Sequence, residues 1–234
     1  MRRLIQPELL DALPPDDPAA IASRSDLRRL NFIMGHAGYL TRTLFRLLPA
    51  SRPTSHPLRV VELGGGDGTL LLRLAQLWSL LGVRAEVTLV DREPVISRET
   101  RGGFDALRWP LECVAADVFA WLGSSRPRAD LVLANLFLHH FEDRSLSELL
   151  RLASTMTNLF IACEPRRSTF ALAAAHALPL IGCNAVTRHD AVVSVHAGFA
   201  DRELSRLWPC AAEWQLKEQS VPPFSHGFSA RRHV

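Results

Sequence analysis

Short apolar runs alternate with amphipathic segments along most of the chain. The runs are rich in valine, leucine and isoleucine and have the length of buried strands, and helical spacing of apolar residues follows each of them. This alternation predicts a parallel sheet with helices on both faces and ligands at the carboxyl ends of the strands. The predicted strands are 58–63, 85–91, 111–117, 129–135 and 158–164, and the predicted helices between them are 69–81, 95–107, 118–123 and 145–154.

The N-terminal part of the chain follows a different pattern. Residues 1–24 look irregular, whereas apolar residues in 25–48 recur at helical spacing, with Ser25 as the expected N-cap. Gly35 and Gly38 weaken the middle of this segment, because glycine is a poor helix former. The pattern therefore predicts one amphipathic helix with a kink or break near its centre.

The segment after this helix suggests how the chain is organised. Pro49 is expected to stop the helix, and residues 50–57 have the composition of a linker. The predicted organisation is an N-terminal helical lid with its linker, residues 1–57, followed by the main domain, residues 58–234. Within the main domain, residues 166–206 form an insertion.

The C-terminal part of the chain predicts one long helix and a hairpin. Residues 168–181 are apolar nearly all round, which suits either a buried core helix or the wall of an apolar pocket. Residues 214–221 and 224–232 alternate around Pro222-Pro223 and predict a β-hairpin. The sheet is therefore expected to contain at least one antiparallel strand.

Composition excludes several classes of protein. The net charge is +3, and Lys217 is the single lysine of the 234 residues, so no basic stripe for nucleic acid is expected. No signal peptide or membrane span is predicted, and a cytoplasmic location is expected. The cysteines lie far apart in the sequence, which predicts reduced thiols and no metal site. They are Cys113, Cys163, Cys183 and Cys210.

A glycine-rich turn follows the first predicted strand, in the sequence VVELGGGDG at 60–68. Glycine allows positive φ and lets a ligand approach the backbone closely. A dinucleotide fingerprint would place its third glycine at residue 69, which is Thr69. Asp67 would also repel a pyrophosphate, so a ligand with a positive centre and an ammonium group suits this turn better.

These residues resemble the first motif of the class I S-adenosylmethionine-dependent methyltransferases. The resemblance implies a Rossmann-like doubly wound sheet of about seven strands, with Asp91 on the ribose hydroxyls and Asp117 and Val118 on the adenine. Asp117 is also a natural N-cap, and both interpretations remain open. The implied contacts with S-adenosylmethionine are Glu62, Gly64, Gly65, Gly66, Asp91, Arg92, Asp117, Val118 and Asn135.

Two adjacent histidines follow the fourth predicted strand. His139 and His140 are candidates for a general base, because an imidazole titrates near neutrality. The stretch Leu138–Phe141 resembles the corresponding motif of small-molecule methyltransferases, in which a histidine here also shapes the pocket. Both roles stay open, and His140 is preferred as the residue that contacts the active site. The other histidines considered are His36, His189, His196 and His226.

The predicted reaction is methylation of an oxygen on a small, rather apolar or aromatic metabolite. The segments NFIMGHAGYL (31–40) and FSHGFSARR (224–232) resemble a bacterial methyltransferase group associated with polyketide biosynthesis, which implies secondary metabolism. A homodimer is also expected. The alternatives are an NAD(P)-dependent oxidoreductase and a non-catalytic binding subunit with a methyltransferase-like fold.

Overall fold

One mixed sheet organises the part of the chain that the computed structural model describes, residues 1–48 and 56–233. Seven strands of these residues pair in the order β3-β2-β1-β4-β5-β7-β6. The strands are β1 (Leu58–Leu63), β2 (Ala85–Asp91), β3 (Leu111–Ala115), β4 (Leu131–Asn135), β5 (Leu159–Pro165), β6 (Trp214–Val221) and β7 (Ser225–Arg232).

Helices cover both faces of this sheet and continue into the N-terminal region. None of the helices within the described residues is both long enough and apolar enough to cross a membrane. The α-helices are α1 (Leu9–Ala12), α2 (Pro18–Ile33), α3 (His36–Leu47), α4 (Thr69–Leu80), α5 (Arg98–Leu107), α6 (Val118–Leu122), α7 (Asp143–Met156), α8 (Thr169–Ala177), α9 (Ala185–Ala197) and α10 (Glu203–Leu207), with 3₁₀ turns at Leu138–His140, Leu178–Ile181 and Ala211–Glu213.

Strand β1 lies at the centre of the parallel part of the sheet. It pairs in parallel with β2 on one side and with β4 on the other, so Leu63 lies opposite both Val90 and Ala134. The chain therefore leaves β1 in one direction and later returns on the opposite side. Such a switch in strand order opens a crevice at the carboxyl ends of the strands, which is where open α/β sheets bind ligands.

The core lies on both faces of the sheet because side chains along each strand alternate between faces. In β1, Leu58 and Val60 pack with α3, α4 and α5, whereas Val61 and Leu63 pack with α6 and α7. A strand buried on both faces needs an almost continuous apolar sequence, which explains the run that begins at Leu58. Glu62 interrupts this run at the ligand end of the strand.

The predicted fold class is confirmed. The five predicted parallel strands form with their expected order along the chain, and the C-terminal hairpin forms as β6 and β7. Strand β7 pairs antiparallel with both β5 and β6, so the antiparallel strand is the second from the edge and β6 is the edge strand. Pro222-Pro223 in the hairpin turn is cis.

The N-terminal helix differs from the prediction. It begins at Pro18 rather than Ser25, because Asp17 caps it by accepting from the Ala19 amide at 2.7 Å and proline suits the first helical position. Gly35, with φ of 66°, separates α2 from α3, so the predicted break is confirmed there. The predicted stop at Pro49 and most of the linker lie outside the described residues.

Three further predictions on the helices were incomplete or wrong. Helix α7 begins at Asp143 and ends at Met156, so it is two residues longer at each end than the predicted helix 145–154. The segment 168–181 is not a buried helix: it is α8 followed by a 3₁₀ turn, and the Phe170 side chain is 66% exposed. Helices α9 and α10 were missed inside the insertion, because their apolar residues follow no clear helical period.

Candidate active site

The glycine turn, residues 64–68, connects β1 to α4 and cannot accept side chains at its first two positions. Gly64 has φ of 69°, and a Cβ on it would lie 2.1 Å from Cδ2 of Phe137. A Cβ on Gly65 would lie 2.6 Å from the side chain of Leu89. Glycine is therefore required here by backbone conformation and by packing together.

Asp91 ties the end of β2 to the glycine turn. Its Oδ2 accepts from the Gly66 amide at 2.9 Å, and its Oδ1 accepts from the Glu93 amide at 2.9 Å. Asp91 and the glycine turn, which carry four of the predicted cofactor contacts, are thus joined directly by a hydrogen bond. These four residues are Gly64, Gly65, Gly66 and Asp91. Each carboxylate oxygen has a second lone pair, so both oxygens retain capacity to accept a hydroxyl hydrogen.

Asp117 caps helix α6 and pairs with Arg92. Its Oδ1 accepts from the amides of Phe119 and Ala120 at 2.9 and 3.2 Å, and Arg92 donates to its Oδ2 at 3.0 Å. These bonds outweigh the effect of burial and lower the pKa of the carboxyl group. The N-cap interpretation is therefore confirmed. Val118, the first residue of α6, is buried, and its amide lies in the first turn, where no intrahelical acceptor exists.

Two buried acceptors at the tips of β1 and β4 have no hydrogen-bond partner among the described residues. They are Glu62 Oε2 and Asn135 Oδ1, although the Asn135 side chain lies beside the His36 ring and acts on its pKa in the direction opposite to burial. Burial, together with the charges of Asp67 and Asp91, raises the pKa of Glu62 to about 8. Buried polar groups normally have partners, so this pair fits a ligand that donates hydrogen bonds and carries positive charge. An amino-acid ammonium beside a sulfonium meets both conditions.

The histidine turn, Leu138–His140, follows β4 and is held by the end of β5. Glu164, which is fully buried, accepts from the amides of Phe137 and Leu138 at 3.1 and 3.0 Å. Its other oxygen lies 2.8 Å from Nδ1 of His139. Since β4 and β5 are neighbours in the sheet, Glu164 fixes both the backbone of the turn and the orientation of the His139 ring.

Glu8 closes the other side of the His139 ring. Its Oε1 lies 3.3 Å from Nε2 of His139 and also accepts from the hydroxyl of Ser194. Burial alone would favour the neutral ring, but the two carboxylates prevail and raise the pKa of His139 to about 9. His139 in turn lowers the pKa of Glu8 to about 2. Glu8, His139 and Glu164 therefore form a buried chain of alternating charge.

His140 has a different environment from His139. Its ring stacks on that of His139 with centroids 4.3 Å apart, and its side chain is 27% exposed. Its Nδ1 lies 3.8 Å from Oδ2 of Asp11, beyond hydrogen-bond distance. Burial and the neighbouring His139 lower the pKa of His140. His140 is therefore neutral where His139 is charged.

The N-terminal segment, residues 1–12, is anchored over the histidine turn. Arg3 donates to the carbonyls of Phe141 and Ala197 at 2.8 Å and lies over the ring of Phe199. The carboxylate of Asp190 accepts from the first amides of α1 at 2.8 and 2.9 Å. Contacts that precede and follow Glu8 in the sequence therefore hold this residue next to His139.

The two segments that resembled a polyketide-associated group contact each other. His36 at the start of α3 is buried, and its Nε2 lies 2.8 Å from Oγ of Ser225 in β7. Burial lowers the pKa of His36 to about 4. The ring of Tyr39 packs directly on Gly227, where a Cβ would lie 2.2 Å from the hydroxyl oxygen. The N-terminal helices therefore dock onto the C-terminal hairpin.

The other histidines have structural partners or lie at the surface. His226 is buried and pairs with Glu218 at 2.8 Å, and His189 pairs with Asp190 at 2.9 Å. His196 is partly exposed near the end of α9, where its carbonyl accepts from the amide of Leu4. Only His139 and His140 lie in the histidine turn at the end of β4.

A cleft of about 240 Å³ lies beside the glycine turn, between α2 and α4. Thr69, Leu70 and Arg73 of α4 face Arg28 and Phe32 of α2 across it. Arg28 also pairs with Asp67 of the glycine turn at 3.0 Å. The N-terminal helices thus reach the candidate cofactor site as well as the histidine turn.

Comparison with known proteins finds a family that resembles the central part of this chain. Residues 60–158 match the family model described as a methyltransferase domain, which spans β1 to α7 with the glycine turn and the histidine turn. This part of the chain is therefore similar to a methyltransferase domain, and the predicted resemblance is confirmed. No curated protein matches the sequence.

Solved structures show the same fold at low sequence identity. A putative O-methyltransferase from Nostoc punctiforme PCC 73102 matches 99% of this chain with a TM-score of 0.62 and 18% identity. The chain spans 64% of the length of that protein. The mitomycin 7-O-methyltransferase MmcR matches 96% of this chain and 60% of its own, with a TM-score of 0.57 and 18% identity.

A structure of more similar length holds the demethylated cofactor. The plantazolicin methyltransferase BamL, in complex with a triazolic desmethylPZN analog and SAH, matches 96% of this chain and 93% of its own. The TM-score is 0.66 and the identity 10%. The prediction of S-adenosylmethionine as cofactor agrees with this neighbour and with the methyltransferase domain.

Two residues of the site were missed in the sequence. Glu164 ends a predicted strand with a carboxylate, as Asp91 and Asp117 do, so the same pattern could have identified it. Glu8 could not be found this way, because it lies in a segment without strand or helix periodicity and 131 residues from His139.

Proposed function

We propose that this protein is an S-adenosylmethionine-dependent methyltransferase that methylates an oxygen of a small, rather apolar or aromatic metabolite. The observation that carries the proposal is the pair His139 and Glu164 placed beside a glycine turn with two unpartnered acceptors. A dinucleotide-dependent oxidoreductase is disfavoured because the turn lacks the third glycine and carries Asp67.

The proposed cofactor contacts follow from the positions of the strand tips. Glu62 and Asn135 would receive the ammonium of the methionine part, and Asp91 the ribose hydroxyls. Val118, Asp117 and Arg92 would border the adenine, with Arg92 and Asp117 already paired at 3.0 Å. The glycine turn at residues 64–66 would pass close to the cofactor because it carries no side chains.

When bound, S-adenosylmethionine supplies a methyl group that is already electrophilic. The residues of this chain then have to hold an acceptor oxygen in line with that group and remove its proton. His139 would first have to lose the proton that it shares with Glu8, which would carry it away as Glu8 leaves. The neutral ring would then accept the hydroxyl proton at Nε2, while Glu164 holds Nδ1 and stabilises the imidazolium that forms again. This arrangement is a nucleophile-activating base oriented by a carboxylate.

Glu8 must leave His139 before an acceptor can bind there. Nε2 of His139 is the atom that the acceptor hydroxyl needs, and Glu8 occupies it at 3.3 Å. Once Glu8 moves away, one of the two carboxylates that raise the pKa of His139 is gone. His140 is the alternative base, since it is partly exposed and neutral, but no carboxylate within hydrogen-bond distance orients its ring.

The lid and its surroundings belong to the same proposal. Residues 1–57 and the insertion 166–206 would form a cover over the acceptor and exclude water, supported by the contacts of Glu8 with Ser194 and of α1 with Asp190. We further expect a cytoplasmic homodimer that does not bind nucleic acid and acts in secondary metabolism. Light scattering after size-exclusion chromatography measures the oligomeric state.

A two-stage experiment tests the function. Thermal shift with S-adenosylmethionine and with NAD first separates the two cofactor classes, and stabilisation by S-adenosylmethionine alone is expected. A panel of phenols and hydroxylated polyketides is then screened for formation of SAH. Stabilisation by NAD would overturn the proposal in favour of the oxidoreductase, and cofactor binding without turnover on any acceptor would favour a binding subunit.

A further inference from the structure

Three side chains from distant parts of the chain bring their ligand atoms together above the histidine turn. Glu8, His139 and His140 each offer one donor atom, and these atoms all lie within 4.8 Å of one another. Glu8 and His140 are partly buried and His139 is buried, so the donors are shielded from bulk water but can be reached. We infer that these three residues form a binding site for a divalent transition-metal ion such as Zn²⁺.

The types of ligand favour zinc over magnesium or calcium. Two imidazoles and one carboxylate suit a borderline cation, whereas magnesium and calcium prefer oxygen ligands alone. Zinc ligands lie about 2 Å from the ion, which places the donor atoms roughly 3–4 Å apart. The donors of Glu8, His139 and His140 lie within 4.8 Å of one another, so binding requires them to draw together by up to roughly 1–2 Å.

The surroundings of these donors are those of a metal site. Metal-bound histidines usually donate their second ring nitrogen to a carboxylate, and Glu164 holds Nδ1 of His139 in this way at 2.8 Å. Ser194 likewise holds the carboxylate of Glu8. Asp11, with Oδ2 at 3.8 Å from Nδ1 of His140, adds a further negative charge beside the three donors.

A bound metal ion takes over the place of the proton between Glu8 and His139. Glu8, Glu164 and Asp11 bring three carboxylates around two imidazoles, so a dication fits the local charge. The ion fastens the N-terminal segment to the histidine turn through Glu8. It also occupies Nε2 of His139, and, on the proposed function, metal binding therefore inhibits methyl transfer.

Cobalt titration tests the site directly. The full-length chain carries Cys210→Ser, because this exposed thiol would compete for the metal, and is first treated with a chelator and dialysed. Co²⁺ is then added while the visible absorption of the ion is followed. We expect a spectrum of low-coordinate cobalt that saturates at one ion per chain and disappears when Zn²⁺ is added.

Matched variants localise the binding. Glu8→Gln and His140→Ala are each expected to weaken Co²⁺ binding by more than about tenfold. Loss of a residue that only supports a metal ligand typically costs about 10–100-fold in affinity, and loss of a ligand should cost no less. His176→Ala and Glu99→Gln, which change exposed residues on α8 and α5, should leave it unchanged. Glu8→Gln keeps the shape of the side chain, and circular dichroism confirms that each variant is folded.

Two outcomes would overturn the inference. One is a folded chain that shows no low-coordinate cobalt spectrum, and the other is equal affinity in Glu8→Gln, His140→Ala and the two control variants. The consequence for catalysis is separable from the site. An enzyme that forms SAH at the same rate with and without bound cobalt would contradict His139 as the base and leave the metal site intact.

Discussion

The glycine turn and the histidine turn lie along the same edge of one sheet, yet their polar groups are in opposite states. Beside the glycine turn, Glu62 and Asn135 each present a buried acceptor without a partner among the described residues. In the histidine turn, both ring nitrogens of His139 are engaged, by Glu164 and Glu8. The first region therefore has acceptors that a ligand could use, whereas in the second every nitrogen of the His139 ring already has a partner.

This contrast separates the two tasks of a methyltransferase. A site that always works on the same cofactor can keep acceptors waiting at fixed strand tips, at the cost of leaving them unpaired. On the proposed function, a base would instead be covered until an acceptor is present, and Glu8 of the N-terminal segment occupies Nε2 of His139 in this way. The predictions below test whether the two regions are separate in the way that their hydrogen bonds indicate.

The largest effect is expected from the base. His139→Ala should lower the rate of SAH formation by about 10²–10⁴-fold, the usual contribution of a general base. His140→Ala should lower it by less than about tenfold, because no carboxylate within hydrogen-bond distance orients that ring. Single-turnover kinetics at saturating cofactor measure both. Equal losses in the two variants would contradict the distinction between the rings.

Glu62 should make the stability of the ligand-free protein fall as the pH rises. The unfolded carboxyl group ionises near 4.5, whereas the folded one keeps its proton up to about 8. Between these values the unfolded state binds fewer protons, so the free energy of unfolding decreases with pH. At pH 7 the loss amounts to about 3 kcal/mol, from the roughly 1.4 kcal/mol that each pH unit contributes.

Glu62→Gln tests this, since glutamine cannot ionise. Urea unfolding at pH 5 and pH 8 should show a flatter dependence for the variant, with the variant more stable than the wild type at pH 8. Saturating S-adenosylmethionine should reverse that order, because the ionised carboxylate then pairs with the ammonium. A pH dependence that is identical in both proteins would show that Glu62 is ionised without its ligand.

Asp91→Ala should weaken cofactor affinity by about 10–100-fold. The change removes hydrogen bonds to a charged acceptor, which contribute about 1.5–3 kcal/mol. Glu93→Ala is the matched control, because Glu93 meets Asp91 only through its backbone amide at 2.9 Å. Isothermal titration calorimetry measures both affinities. Unchanged affinity in Asp91→Ala would exclude this residue from the ribose site.

The smallest effect separates backbone strain from crowding within the glycine turn. Gly64→Ala and Gly66→Ala both place a side chain at positive φ, which costs about 1–2 kcal/mol. Only the first also meets a neighbour, since a Cβ on Gly66 has nothing within 4 Å. Gly64→Ala should therefore be the less stable of the two variants by about 1 kcal/mol or more in urea unfolding. Equal stabilities would show that the Phe137 ring can move away from the new methyl group at no cost in free energy.

The strands and helices around the glycine turn could be predicted from the sequence, because the residues that define each of them are close together in the chain. Each strand is a short apolar run, and the residue proposed to bind the ligand stands at the end of that run, as at Glu62 and Asp91. Parallel strands bring their ends to one edge, so local signals add up to a site. Helix boundaries inside this region were accurate to a few residues for the same reason.

The region of the histidine turn was predicted only in part, because its contacts span the whole chain. The histidines themselves were found from their position after β4. Glu8 and Arg3 reach them from the far N-terminus, where no periodicity marked a role. The cysteine spacing likewise carries no information on whether Glu8, His139 and His140 come together, since Glu8 lies far from the two histidines in the sequence.

The left-handed backbone conformation of Leu136 lies between the glycine turn and the histidine turn. It has φ of 51°, an unusual value for a leucine, between Asn135 at the cofactor side and Phe137, which rests on Gly64. Glu164 restrains the backbone on the far side of this bend by accepting from the next two amides. On the proposed function, a shift of Asn135 toward a bound ammonium would therefore be passed through Leu136 and Phe137 to the turn that carries His139, so cofactor binding would also reposition the proposed base.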